Sequence, residues 1–115
     1  MKFEATKWGF VEAMKYNERG HKGAGEWLLN ESELSLKDMK ELERFVRQKA
    51  NSLYDKLVEA GRYLGSDDGY SDLLYQIVAN GEDFYNNITV ERAKQMIDNE
   101  EYKESFSYAF HSIPV

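Results

Sequence analysis

Apolar positions along the chain recur at steps of three and four, not two, which is the period of helices buried along one stripe. Phe3, Trp8, Phe10, Val11 and Met14 predict a first helix over about residues 5–18, with Thr6 as its N-cap. Gly20-His21-Lys22-Gly23-Ala24-Gly25 then reads as a loop, because three glycines in six residues raise the entropic cost of order. Trp27, Leu28 and Leu29 fit one further helical turn. Ser35 with Asp38 three residues on marks a capped N-terminus, and Met39, Leu42, Val46, Ala50, Leu53, Leu57, Ala60 and Leu64 follow it. That run predicts a single helix over 36–63, roughly 42 Å long at the α-helical rise, as the spine of the fold.

Gly65 supplies a left-handed stop, and Ser66, Asp67 and Asp68 supply oxygen acceptors for the free N–H groups of the next helix. Tyr70, Leu73, Leu74, Ile77 and Val78 place that helix over 67–80, ended by Asn80-Gly81. Glu82, Asp83, Phe84, Tyr85 and Ile88 read as a further turn or short helix, Thr89 caps another helix over 90–98, and Tyr102, Phe106, Ala109, Phe110 and Ile113 mark a C-terminal helix closed by Pro114. The expectation is an all-α, single-domain bundle (residues 1–115) of five or six helices around one long central helix. The helices 36–63 and 67–80 should pack as an antiparallel pair across the turn at Gly65.

Composition narrows the function classes. The chain has 115 residues, no cysteine and a net charge of −6. Disulfides, thiolate nucleophiles and zinc–thiolate sites are excluded. No apolar run is long enough to span a membrane and the first residues lack the order of a signal peptide, so a cytoplasmic location and no membrane partner are expected. The charge is unevenly spread: residues 63–91 hold six Asp or Glu and no Lys or Arg, while the remaining residues hold fifteen of each sign. An acidic stretch disfavours nucleic acid, whose phosphates need a basic surface, and favours a basic protein partner.

The stretch Ser66-Asp67-Asp68-Gly69-Tyr70-x-Asp72, with Ile77-Val78-x-x-Gly81 and Phe84-Tyr85 after it and Leu34-Ser35-Leu36 and Tyr54-Asp55 before it, resembles the bacterial domain of unknown function 4240 family. The resemblance implies a helical fold and no established activity. This chain departs from the family pattern at Tyr70, which stands for Phe, and at Leu73-Leu74, which stand for Phe-Arg; any pairing of that arginine with the aspartates is lost.

Asp67, Asp68 and Asp72 form the main carboxylate cluster. Such acids cap a helix N-terminus, and three carboxylates also suit Mg²⁺ or Ca²⁺, although no EF-hand series follows them. His21 and His111 lie far apart in sequence with no carboxylate spaced to pair with them, and no nucleophile elbow or phosphate-binding loop is present. No cofactor is implied. The reading is a non-enzymatic interaction module of inhibitor, immunity or phage anti-defence type. Its partner-binding residues are Asp67, Asp68, Tyr70, Asp72, Tyr75, Glu82, Asp83 and Tyr85, since tyrosines beside a one-signed charge field suit a wet interface. The alternative is a metal-dependent enzyme or metal-binding module built on Asp67, Asp68 and Asp72.

Overall fold

The computed structural model describes residues 7–65, 67–102, 105–111 and 113–114, with the backbone alone at 67 and 68. Phe3, Thr6 and Ser66, to which the sequence assigns apolar and capping roles, lie outside the described residues. Among the described residues the architecture is all-helical, with seven α-helices and one 3-10 helix, and no strand. The expectation of five or six helices is therefore corrected. The helices are α1 (Lys7–Ala13), α2 (Tyr16–Asn30), α3 (Leu36–Ser52), α4 (Val58–Leu64), α5 (Asp67–Ala79), α6 (Glu82–Asn87) and α7 (Val90–Asp98), followed by the 3-10 helix Phe106–Phe110.

Three departures from the expected boundaries have physical causes. The first helix ends at Ala13 because Met14 and Tyr16 are both buried. Residues two apart point about 200° apart around a helix, so the chain leaves the helix between them, with Lys15 left-handed at φ 47°. The glycine run is not a loop but part of α2, with a kink at Gly20 (φ 73°). Ala24, Gly25 and Leu28 are buried there, on the helix that lies against the 3-10 helix Phe106–Phe110. A Cβ at Gly23 would sit 2.8 Å from Arg19 Cβ. Packing outweighs low helix propensity.

The long central helix is also corrected: α3 stops at Ser52 and α4 resumes at Val58. Between them the chain tightens to three-residue bonds, Tyr54 N–H to Asn51 O at 3.1 Å and Val58 N–H to Asp55 O at 3.5 Å. Asn51, Ser52 and Asp55 are weak helix formers whose side chains compete for backbone groups, and Ser52 Oγ donates to Lys49 O at 2.9 Å. The buried spacing survives, since Leu53 and Leu57 are both in the core.

Capping follows the sequence closely. Ser35 Oγ accepts from Asp38 N–H and Thr89 Oγ1 from Arg92 N–H, each at 3.1 Å, and Gly65 closes α4 at φ 74°. In place of the expected C-terminal helix, the described residues of the C-terminal segment form the 3-10 helix, capped by Ser105. One core joins Val11, Leu42, Val46, Leu73, Ile77, Met96 and Phe106. Helix α5 packs chiefly on α3. No helix among the described residues is long and apolar enough to cross a membrane.

Candidate functional site

Helix α5 buries Tyr70, Leu73, Leu74, Ile77 and Val78, which turns Ser71, Asp72 and Tyr75 outward. Where α5 crosses the end of α3, Ala50, Asn51, Tyr54, Ser71, Leu74 and Tyr75 line a cleft of about 210 Å³. Leu74 forms part of its floor. Tyr54 is half exposed at 52%. Tyr75 is half-buried, and burial pushes its phenol up, while Arg47 draws it down and Glu43 adds a smaller upward push.

Tyr70 is committed to the fold. Its hydroxyl donates to the carbonyl of Tyr54 at 2.5 Å, its ring lies 5.1 Å from the Tyr54 ring, and burial, with Tyr54 and Asp55 adding, pushes its pKa up to about 12. Tyr85 serves a similar end elsewhere. It donates to Lys49 O at 3.2 Å and shares a hydrogen bond with Ser52 Oγ at 2.5 Å, while its ring meets Trp8 at 5.3 Å. With Ser52 it thereby supplies side-chain donors to one carbonyl, Lys49 O, at the end of α3.

Two of the expected residues, Tyr75 and Tyr85, lie on different flanks of α3. Tyr75 lies on the side of Glu43, Arg47 and Asn51, whereas Tyr85 lies on the side of Lys49 and Ser52. At 100° per residue these are opposite flanks of the buried Val46–Ala50 stripe. Glu82 and Asp83 are exposed in the first turn of α6, and Glu82 N–H donates to Glu12 Oε2 at 3.4 Å. Asp72 is half-buried. The side chains of Asp67 and Asp68 lie outside the described residues, and no three His, Cys, Asp or Glu among the described residues are placed to hold a metal ion.

Two groupings were not legible from sequence spacing. Tyr54 belongs to the cleft although the expected site began at residue 67; its place on the solvent side of the Leu53–Leu57 stripe was the available signal. The two histidines converge on one ring, with His21 at 5.7 Å and His111 at 5.0 Å from Tyr108.

No protein family, curated protein or solved structure matches this chain. Function therefore rests on the geometry of the cleft and its surroundings.

Proposed function

We propose that the chain is a non-enzymatic interaction module that receives a basic segment of a partner protein in the Tyr54–Tyr75 cleft. The observation that carries this reading is that Tyr54 and Tyr75 both line the cleft, with Asp55 next to Tyr54 in the chain and Asp72 on the same helix as Tyr75. A guanidinium or ammonium group gains from an aromatic face and from nearby carboxylates together. The fold already uses such contacts, since Lys49 lies 5.6 Å from the Tyr85 ring and Lys94 5.8 Å from the Tyr63 ring. Asp67 and Asp68 begin the same helix. Glu82, Asp83 and Tyr85 would form a second, outer contact. In this reading the chain is a divergent relative of the domain of unknown function 4240 family, with Leu74 replacing an arginine by an apolar floor.

Pull-down with the full chain, with bound proteins identified by mass spectrometry, tests the reading. Capture of a basic protein should fall with added salt and be lost in the Tyr75→Ala and Asp72→Asn variants. Capture that survives both changes would place the interface elsewhere.

A further inference from the structure

The summed charge of residues 26–62 is near zero, but the register of α3 sorts it. Lys37, Lys40, Arg44 and Arg47 follow at steps of three, four and three, so they form one exposed row about 15 Å long on the solvent face. Glu41 and Glu43 sit beside the row and are less exposed. Two hollows run along it. One, of about 430 Å³, is lined by Leu36, Lys37, Lys40, Glu41 and Arg44. The other, of about 280 Å³, lies between Lys40, Glu43, Arg44 and Arg47 on one side and Phe110, His111, Ile113 and Pro114 on the other. They share Lys40 and Arg44, which makes them one trough with a cationic wall and an apolar side.

None of the four cations makes an ion pair among the described residues. The other arginines described are occupied: Arg62 pairs with Glu59, Arg92 with Glu101, and Arg19 bonds to Ala13 O and lies 5.7 Å from the Trp27 ring. A row of uncommitted cations beside apolar side chains costs self-repulsion and exposed apolar surface, and an occupant of opposite charge with apolar side chains removes both penalties.

We infer that this trough is a second docking surface, which takes an acidic, amphipathic segment of a partner protein. Carboxylates of that segment meet Lys37, Lys40, Arg44 and Arg47, and its apolar side chains lie on Leu36, Ile113 and Pro114. Nucleic acid fits less well, because Glu41 and Glu43 line the trough beside the row and the chain carries −6 overall.

The test is fluorescence anisotropy on the full chain, using a labelled synthetic peptide of about fourteen residues with Glu and Leu at helical spacing. Saturable binding that weakens between about 50 and 300 mM salt is expected. Lys40→Glu/Arg44→Glu should weaken it by about tenfold or more, while Lys22→Glu/Lys56→Glu, which makes the same change in net charge at exposed positions elsewhere, should leave it within about twofold. Circular dichroism of both variants checks that the fold is kept. A peptide with Ser in place of Leu should bind more weakly. The inference is overturned by no saturable binding, by equal loss in the two double variants, by equal binding of the Ser peptide, or by a single-stranded oligonucleotide of like length binding as tightly as the peptide.

Discussion

The hydroxyl of Tyr70 donates to the main-chain carbonyl of Tyr54 at 2.5 Å, across the break between α3 and α4. The break strands that carbonyl outside regular helix, and a tyrosine from α5 satisfies it. Gly61 lets this happen: a Cβ there would lie 3.0 to 3.1 Å from the Tyr70 ring. Because the ring is held by its hydrogen bond and by Tyr54, it has little room to give.

Tyr70→Phe keeps the ring and removes the bond, so a loss of about 1–2 kcal/mol is expected from an orphaned carbonyl. Gly61→Ala should cost about 1–2 kcal/mol net, since overpacking exceeds the helix-propensity gain of alanine. Urea denaturation of both variants checks this; a stabilised Gly61→Ala protein would show that the ring can move.

The same tyrosine gives a test at high pH. Its folded pKa is raised from 10.0 to about 12, chiefly by burial. Below pH 10 both folded and unfolded states hold the proton and the contribution is whole. Between pH 10 and about 12 the unfolded chain ionises while the folded one does not, so stability falls as pH rises through that window. Tyr70→Phe should flatten this part of the stability profile, and tyrosinate absorbance of the folded wild-type chain should show a late step toward pH 12 that Tyr70→Phe lacks.

What the sequence carried and what it did not divides along one line. The caps at Ser35 and Thr89 and the stop at Gly65 were legible because each depends on local chemistry: a side-chain oxygen three residues from a free N–H, or a backbone that needs positive φ. The helical glycines of α2 were not, because Gly25 and Ala24 are held by a segment some eighty residues away in sequence. The break at Ser52 was hidden because Leu53 and Leu57 keep helical spacing through it. At the candidate site, the acidic stretch was visible as a run of like charge, but Tyr54 came to it through tertiary packing. The basic row on α3 escaped because summing charge along residues 26–62 cancels Lys37, Lys40, Arg44 and Arg47 against acids spread over the whole stretch, whereas the register of α3 brings these four onto one face.

Gln76, 3% exposed, joins α5 to the start of α2 through amides alone. Its Nε2 donates to Asn17 Oδ1 at 2.6 Å and to Asn80 Oδ1 at 3.0 Å, and Asn17 Nδ2 donates to Asn80 Oδ1 at 2.8 Å. Gln76→Ala removes two of these bonds and leaves space in the interior, for an expected loss of about 1–3 kcal/mol. Asn17→Ala, at an exposed position, should cost less, about 1 kcal/mol. Thermal unfolding of the two single variants and the double variant checks the coupling; strictly additive losses would mean the amides act independently.

Gly81 holds φ 103° and ψ 172° at the turn from α5 to α6, a region that side chains rarely adopt. Gly81→Ala should therefore destabilise by about 1–3 kcal/mol. The added Cβ would lie 3.3 Å from Cγ and Cδ of Glu12, the far end of a flexible side chain that can turn aside, so backbone strain dominates the loss. Glu12→Ala should then fail to rescue the variant in a chemical denaturation experiment.

The pair Arg92–Glu101 sets the response to acid. Arg92 Nη1 and Nη2 donate to the two carboxylate oxygens at 3.0 and 2.8 Å, and Asn99 Nδ2 adds a third bond at 3.2 Å. Hydrogen bonding to Arg92 first, and to Asn99 second, lowers the Glu101 pKa from 4.5 to about 2. A carboxyl lowered in the folded state contributes stability above the unfolded pKa and loses it as pH falls toward the folded one, so the window runs from about 4.5 down to 2. The site is open to solvent and its ions are screened, which makes the effect small and salt-dependent. Glu101→Gln should remove it, leaving acid unfolding less steep over that window, and the carboxyl carbon of Glu101 should titrate below the other glutamates by NMR. A Glu101 midpoint near 4.5 would mean that the fork to Arg92 does not persist in solution.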